Sequence, residues 1–200
     1  KLNSEISLSL WRDSRDNIFE PTIGSRNSVD GSFGGLGGEV QFYRLIGDSA
    51  WFFPLPLWGL VFSVRGEAGY AQGWGGQQLP IFERFFLGGD TTLRGFETRS
   101  VAPKDAQGNV IGGDTELLFS TELIVPIPLL PHLRAAVFFD AGNAYGFGVP
   151  FDPTDLRYDA GLEIRFLSPL GPLRFGYGFN LDRRPDEKHG RVIFTAGAPF

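Results

Sequence analysis

Few residues in this chain could carry covalent or metal chemistry. Cysteine is absent, which removes thiol nucleophiles, thiolate metal sites and disulfides. The only imidazoles are His132, after Pro131 in a proline-rich turn, and His189, in a polar stretch. Both read as ordinary surface residues, so zinc enzymes and Ser-His-Asp hydrolases have little to build on. Arg12-Asp13-Ser14-Arg15-Asp16 looks like an acid cluster, but it lies at a strand-to-turn junction and reads as a solvated charge network. Gly88-Gly89-Asp90 suggests a phosphate cradle, yet a P-loop needs Gly-Lys-Ser/Thr between a strand and a helix, and neither is present. No catalytic residue, metal ligand or cofactor is assigned, and the chain is expected not to be an enzyme. Arg157, Asp159, Glu163, Arg165 and Arg174 are the densest remaining charges. They could line a conducting path, or neutralise one another as filling.

The composition narrows the partners. With 18 basic and 23 acidic residues the net charge is -5, so no basic excess exists to attract a nucleic-acid backbone, and none is expected. Glycine, at 28 of 200 residues, is about double ordinary usage. There is no G-X-Y period, and 42% of residues are hydrophobic, which fits neither collagen nor disorder. Methionine is absent and Lys1-Leu2-Asn3 runs directly into patterned sequence, so the chain is expected to be part of a longer protein.

The elements that must position these charges follow from periodicity. A spanning helix needs about 20 mostly apolar residues, whereas the longest uncharged stretch, Ser49 to Val64, is shorter and contains Pro54 and Pro56. The other spanning solution is a closed β-barrel, whose alternating strands hide their hydrophobicity from any average. Period two recurs along the chain. Leu156, Tyr158, Ala160, Leu162, Ile164 and Phe166 alternate with Arg157, Asp159, Gly161, Glu163 and Arg165. Leu173, Phe175, Tyr177, Phe179 and Leu181 oppose Arg174, Gly176, Gly178 and Asn180. Val192, Phe194, Ala196, Ala198 and Phe200 share one face at the end. Leu117, Phe119, Thr121, Leu123 and Val125 oppose Glu116, Ser120 and Glu122, and Leu133, Ala135, Val137 and Phe139 oppose Arg134 and Asp140. Trp58, Leu60, Phe62, Val64, Ala68 and Tyr70 oppose Ser63, Arg65 and Glu67, while Ile6, Leu8 and Leu10 alternate with Ser7 and Ser9. Residues 25–33 and 39–53 show a weaker pattern, broken in the second by Arg44.

About nine strands and no convincing amphipathic helix make the chain all-β. A sandwich on a core also has one dry and one wet face. The apolar faces here are long and aromatic-rich, the opposite faces carry both signs of charge, and Trp51, Trp58, Tyr70 and Tyr177 sit toward strand ends as an interfacial girdle requires. These features favour a transmembrane antiparallel β-barrel. Connections are tight at Pro54–Leu57, Pro126–Pro131 and Ser168–Pro172, and longest at Gln72–Gly112. Short turns on one side and long loops on the other match the bacterial outer-membrane arrangement. The long loop is then extracellular, and an odd strand count predicts at least one further strand before Lys1.

A connection of this length is usually functional. It holds Leu79-Pro80-Ile81-Phe82-Glu83-Arg84-Phe85-Phe86-Leu87-Gly88-Gly89-Asp90-Thr91-Thr92-Leu93-Arg94-Gly95-Phe96, followed by Val101-Ala102-Pro103. Leu93-Arg94-Gly95-Phe96 after Gly88-Gly89 resembles the loop signature of the BamA-like outer-membrane assembly and translocation proteins, the bacterial surface antigen family. Other stretches match in the same order: Arg12–Asp16 with Pro21-Thr22-Ile23-Gly24, Glu122 with Pro126, Phe138-Phe139-Asp140-Ala141-Gly142-Asn143, and Ser168-Pro169-Leu170-Gly171-Pro172-Leu173-Arg174-Phe175. The resemblance covers residues 1–200, corresponding to roughly the second half of a sixteen-stranded barrel, without the polypeptide-transport-associated (POTRA) domains and earlier strands that precede it in the family.

The resemblance implies an outer-membrane location and a loop folded into the barrel lumen, with Arg94 paired to the wall carboxylates Glu122 and Asp140. It implies that the last strand, with Val192, Phe194, Ala196, Ala198 and Phe200, carries the insertion signal and forms a seam that templates client strands. Thr195 stands where such signals often have glycine. The implied partners are the lipid bilayer, unfolded β-barrel clients and accessory assembly proteins, with self-association of the chain a further possibility. A secretion pore of the same superfamily, or a passive small barrel, is the alternative.

Overall fold

The computed structural model of the chain describes residues 4–38, 40–128, 130, 132–149, 151–169 and 171–197. Nine strands follow one another: β1 (Glu5–Asp13), β2 (Gly24–Gly34), β3 (Phe42–Pro54), β4 (Val61–Gly73), β5 (Thr115–Pro126), β6 (Leu133–Tyr145), β7 (Arg157–Ser168), β8 (Gly171–Asn180) and β9 (Gly190–Ala196). Each pairs antiparallel with its chain neighbour, so the sheet order is the sequence order and β1 and β9 are its two edges. The one helical element among the described residues is a single 3-10 turn, Ile81–Glu83, and no described helix is long and apolar enough to cross a membrane.

Alternation divides the sheet into two faces. One carries exposed side chains such as Leu8, Leu45, Phe119, Val137, Leu162, Phe175 and Phe194. Aromatic pairs on this face stack or tilt together, as with Trp51 on Phe53, Tyr43 beside Tyr70 and Tyr177 against Phe179. The other face holds the buried charges Glu116, Asp140, Asp159, Glu163, Arg165 and Arg174. A sheet that is apolar outside and charged inside inverts the pattern of a sheet packed on an apolar core, and matches a barrel wall between lipid and lumen.

Two stretches depart from the sequence reading. Trp58 and Leu60 lie in the turn before β4: Leu60 N–H donates to the Leu57 carbonyl at 2.9 Å, and Trp58, at φ 48, is 86% exposed. The weak alternation around β3 has a physical cause. Its inner face carries Phe42, Ile46 and Phe52 beside Arg44 and Asp48, because Phe42 packs with Val40, Ala71, Leu79, Phe85 and Ala144 against the long loop. Arg44 fits that face, with its guanidinium 4.8 Å above the Phe85 ring and 3.9 Å from Glu83.

The β1–β2, β3–β4, β5–β6 and β7–β8 junctions lie at one end of the sheet, and the β2–β3, β4–β5, β6–β7 and β8–β9 junctions at the other. The first is longer than its companions. Asp16 braces it, accepting from the Thr22 and Ile23 amides and from the Thr22 hydroxyl, and those bonds hold the Asp16 carboxyl below the usual range against the opposing effect of burial. Within Arg12–Asp16, Arg15 pairs with Asp13 at 2.7 Å. In β9, Val192, Phe194 and Ala196 are exposed, while Ala198 and Phe200 lie outside the described residues.

Candidate functional site

The loop between β4 and β5 turns back on itself through antiparallel bridges at Phe85–Gly113, Leu87–Val101 and Lys104–Val110. Gly88 and Gly89 start the sharp reversal at φ 103 and φ 115, a region that L side chains rarely adopt. The Gly88 amide is satisfied by the Thr92 hydroxyl at 2.9 Å. Beyond the reversal, Leu93 and Phe96 bury with Leu87, Val101 and the β5 residue Leu118. This apolar contact draws the loop tip onto the inner wall.

Between Leu93 and Phe96 the backbone touches the sheet directly. A Cβ at Gly95 would lie 2.7 Å from the Asp159 Cβ and 2.9 Å from the Phe179 carbonyl carbon, and one at Gly178 would lie 2.7 Å from the Gly95 nitrogen. Two facing glycines thus let the tip rest on the β7–β8 backbone. This seat fixes the position from which Arg94 reaches the wall.

The Arg94 residue is 4% exposed, and its guanidinium is met on every side. Nε and Nη2 donate to the two oxygens of Asp140 at 2.8 and 2.7 Å, a bidentate pair. Nη1 donates to Glu122 at 2.5 Å and to Glu163 at 3.3 Å, and Nη2 also reaches the Ser120 hydroxyl at 3.0 Å. Each of the five guanidinium N–H donors therefore faces an acceptor. The plane lies 3.7 Å from the centroid of Phe138, whose ring occupies space that a Cβ on Gly161 would fill, at 2.4 Å from Cζ. Strands β5, β6 and β7 supply the acceptors, because register sets Ser120 opposite Asp140 and Glu122 opposite Phe138, which faces Gly161, two residues before Glu163, on its other side.

The neighbouring charges neutralise one another. Arg165 donates to Glu122 at 2.6 Å and to Glu163 at 2.7 Å, and Arg174 approaches Glu163 at 3.1 Å. Arg157 bonds Asp182 at 2.5 Å and Glu187 at 2.7 Å. These pairings fit filling better than an open conducting path. Toward the short-turn end the inner face still leaves a cavity of about 270 Å³, lined among others by Arg26, Asp48, Arg65, Glu122 and Arg134.

At the opposite end the loop is tied to residues 181–191. Arg191 meets Asp90 at 2.8 Å and donates to the Phe96 carbonyl at 3.2 Å, Lys188 meets Glu97 at 2.6 Å, and Lys104 meets Asp186 at 3.3 Å. Burial works to raise the Glu187 carboxyl, but hydrogen bonds from Arg157, the Arg184 amide and Asn180 outweigh it and bring its pKa down to about 2.

The structure thus brings Gly88, Gly89, Leu93, Arg94, Gly95 and Phe96 together with Glu122 and Asp140, while β9, at one edge of the described sheet, meets the loop through Arg191. Sequence reasoning missed Glu163, Ser120 and Phe138 as partners of Arg94, and the glycine seat at Gly178. Alternation had put Glu163 on the charged face of its strand. Its convergence on Arg94 could come only from register across β5, β6 and β7.

This arrangement defines a class of protein: an antiparallel membrane-barrel wall with a long loop folded onto its inner face and held there by a buried arginine. The chain belongs to the Omp85 superfamily, whose superfamily domain matches residues 1–200. It is 35% identical over its whole length to the outer membrane protein assembly factor BamA of Nitratidesulfovibrio vulgaris, covering 26% of that protein. Over 94% of its length it is 32% identical to BamA of Neisseria meningitidis serogroup B, covering 28% of it. The chain therefore spans only about a quarter of the length of these relatives. The crystal structure of BamA from Haemophilus ducreyi lacking POTRA domains 1–3 superposes with a TM-score of 0.85 at 25% identity, covering 98% of this chain and 42% of that one.

Proposed function

We propose that this chain is part of the barrel of an outer-membrane assembly factor that inserts β-barrel clients, and that the Arg94 site is a latch holding the long loop inside. Its membership of a superfamily that includes the BamA proteins supports this reading. The observation that carries the latch is the full enclosure of Arg94 by Asp140, Glu122, Glu163 and Ser120. A buried guanidinium so paired stabilises one loop position, whereas loss of either partner leaves an uncompensated charge.

The work is done by templating, without chemical catalysis. A membrane strand needs its backbone groups paired before it meets lipid, and a strand edge such as β9 can offer that pairing by β-augmentation. The lipid bilayer and unfolded β-barrel clients are the direct partners, with accessory assembly proteins acting through other parts of the protein. In lipid vesicles, the full-length protein should raise the rate at which an unfolded β-barrel client acquires protease resistance, and Arg94→Ala should lower it. Steady single-channel conductance with no client insertion would overturn the proposal.

A further inference from the structure

Charge counting around the latch leaves one carboxyl over. Arg94, Arg165 and Arg174 supply three positive charges, and Glu122, Asp140 and Glu163, each in an ion pair with one or more of them, supply three negative ones. Asp159 is a fourth carboxyl on the same inner face. It is 0% exposed, and among the described residues it has no ion-pair partner, while neither of its oxygens makes a well-formed hydrogen bond.

Register places Asp159 directly opposite Asp140 on β6 and Asn180 on β8. The loop covers it, with Gly95 packed against its Cβ. The groups facing it are the Asp140 carboxyl, already bidentate to Arg94, Arg94 itself, the Gly95 amide N–H of the loop, and the uncharged Asn180 side chain, which donates to Glu187. On its own strand, Arg157 is committed to Asp182 and Glu187 and Glu163 to Arg165 and Arg174. An ionised carboxylate here would be a buried, unpaired anion beside a second carboxylate, an arrangement that drives a group to neutralise. Two carboxyls meeting face to face need one proton between them to form a hydrogen bond.

We infer that Asp159 is a positioning residue held as a neutral carboxylic acid, donating its proton to Asp140 and so keeping Asp140 aligned on Arg94. The latched loop then holds one proton that the released loop gives up, because a lumen open to water solvates the Asp159 carboxylate. Closing takes up a proton and opening releases it, so rising pH favours release. The inference rests on the latch reading for its consequence, but not for the proton itself.

Two measurements on the full-length protein in vesicles test it. The chain has no cysteine, so Thr91→Cys, at an exposed position of the loop tip, places a single thiol in it, with any cysteine elsewhere in the full-length protein replaced by serine. With a neutral thiol reagent, and after correction for thiol ionisation measured on the unlatched Arg94→Ala protein, labelling should speed up with pH by as much as about tenfold per unit, the limit for one linked proton. Asp159→Asn, which mimics the neutral acid, should flatten that dependence and keep labelling slow. Infrared spectra of the otherwise unaltered protein should show a buried protonated-carboxyl band that Asp159→Asn removes, a readout that a merely packing role would not move. Equal pH dependence in the parent and Asp159→Asn proteins, or absence of the band, overturns the inference. If Arg94→Ala leaves labelling as slow as in the parent, the latch reading fails instead.

Discussion

Replacing Arg94 by alanine removes one cation from among three carboxylates. Asp140 and Glu163 are fully buried and Glu122 nearly so. Breaking a buried ion pair by deleting one partner costs about 3–5 kcal/mol, and the lost contact with Phe138 acts in the same direction. Taking ~4 kcal/mol against about 1.4 kcal/mol per tenfold, the latched state should lose roughly a thousandfold in population relative to the released one. Arg94→Lys keeps the charge but not the planar fork, so the bidentate pair to Asp140 and the reach to Ser120 cannot both survive. About half the penalty, ~2 kcal/mol, is expected from the charge-assisted hydrogen bonds lost. The assay is amide exchange at Leu87 and Val101, which bond each other at 2.9 Å in both directions inside the cluster that packs on Leu118 of the wall and lose that cover when the loop is released. Alanine should speed both by about three orders of magnitude and lysine by roughly 30-fold, with amides of the β5–β6 ladder unchanged. Unaltered exchange at Leu87 and Val101 in both variants would refute the reasoning, because a loop indifferent to its arginine is held by something else.

Gly178→Val should unseat the tip even though Arg94 is intact, since the new Cβ meets the Gly95 nitrogen at 2.7 Å; exchange at Leu87 and Val101 reads it, and parent-like protection would argue against the glycine seat. Leu162→Arg places a charge on the exposed face of β7, and a cost of about 2–4 kcal/mol is expected near the bilayer midplane. Urea unfolding in vesicles should show that loss, whereas no shift would place this face outside lipid. The Glu187 pairings should weaken in acid: its pKa is depressed to about 2 from the ordinary 4.5, so their stabilisation is present above 4.5 and is lost as pH falls toward 2. Pepsin cleavage within 181–189 should accelerate over that window and lose its pH dependence in Glu187→Gln; equal profiles would exclude Glu187 as the anchor.

Much of the wall was legible because a strand writes its two environments on alternate residues. Leu162 and Glu163 adjoin in sequence, yet one is 58% exposed and the other 2%. Legibility failed where the inner face was not polar. Phe42 and Ile46 point inward to meet the loop, so β3 read as weakly patterned, and Trp58 continued an apolar run that the chain ends with a turn. In the site, the loop signature, Glu122 and Asp140 could be named from motif resemblance, whereas Glu163, 69 positions from Arg94, and Ser120 could not.

By itself the sequence determined an all-β chain of alternating strands, apolar on one side and charged on the other, with a long glycine-marked loop and no cysteine. Those properties are local, set by side-chain period and by which residue types are present. Only the tertiary structure decided that Arg94 meets three carboxylates and a hydroxyl over the Phe138 ring, that Gly95 rests on Gly178, and that Asp159 is left facing Asp140 with, among the described residues, no ion-pair partner of its own. Pairing register converts positions far apart in the chain into neighbours a few ångströms apart. The charges on the inner face were readable one by one, but which of them balance is a property of that register.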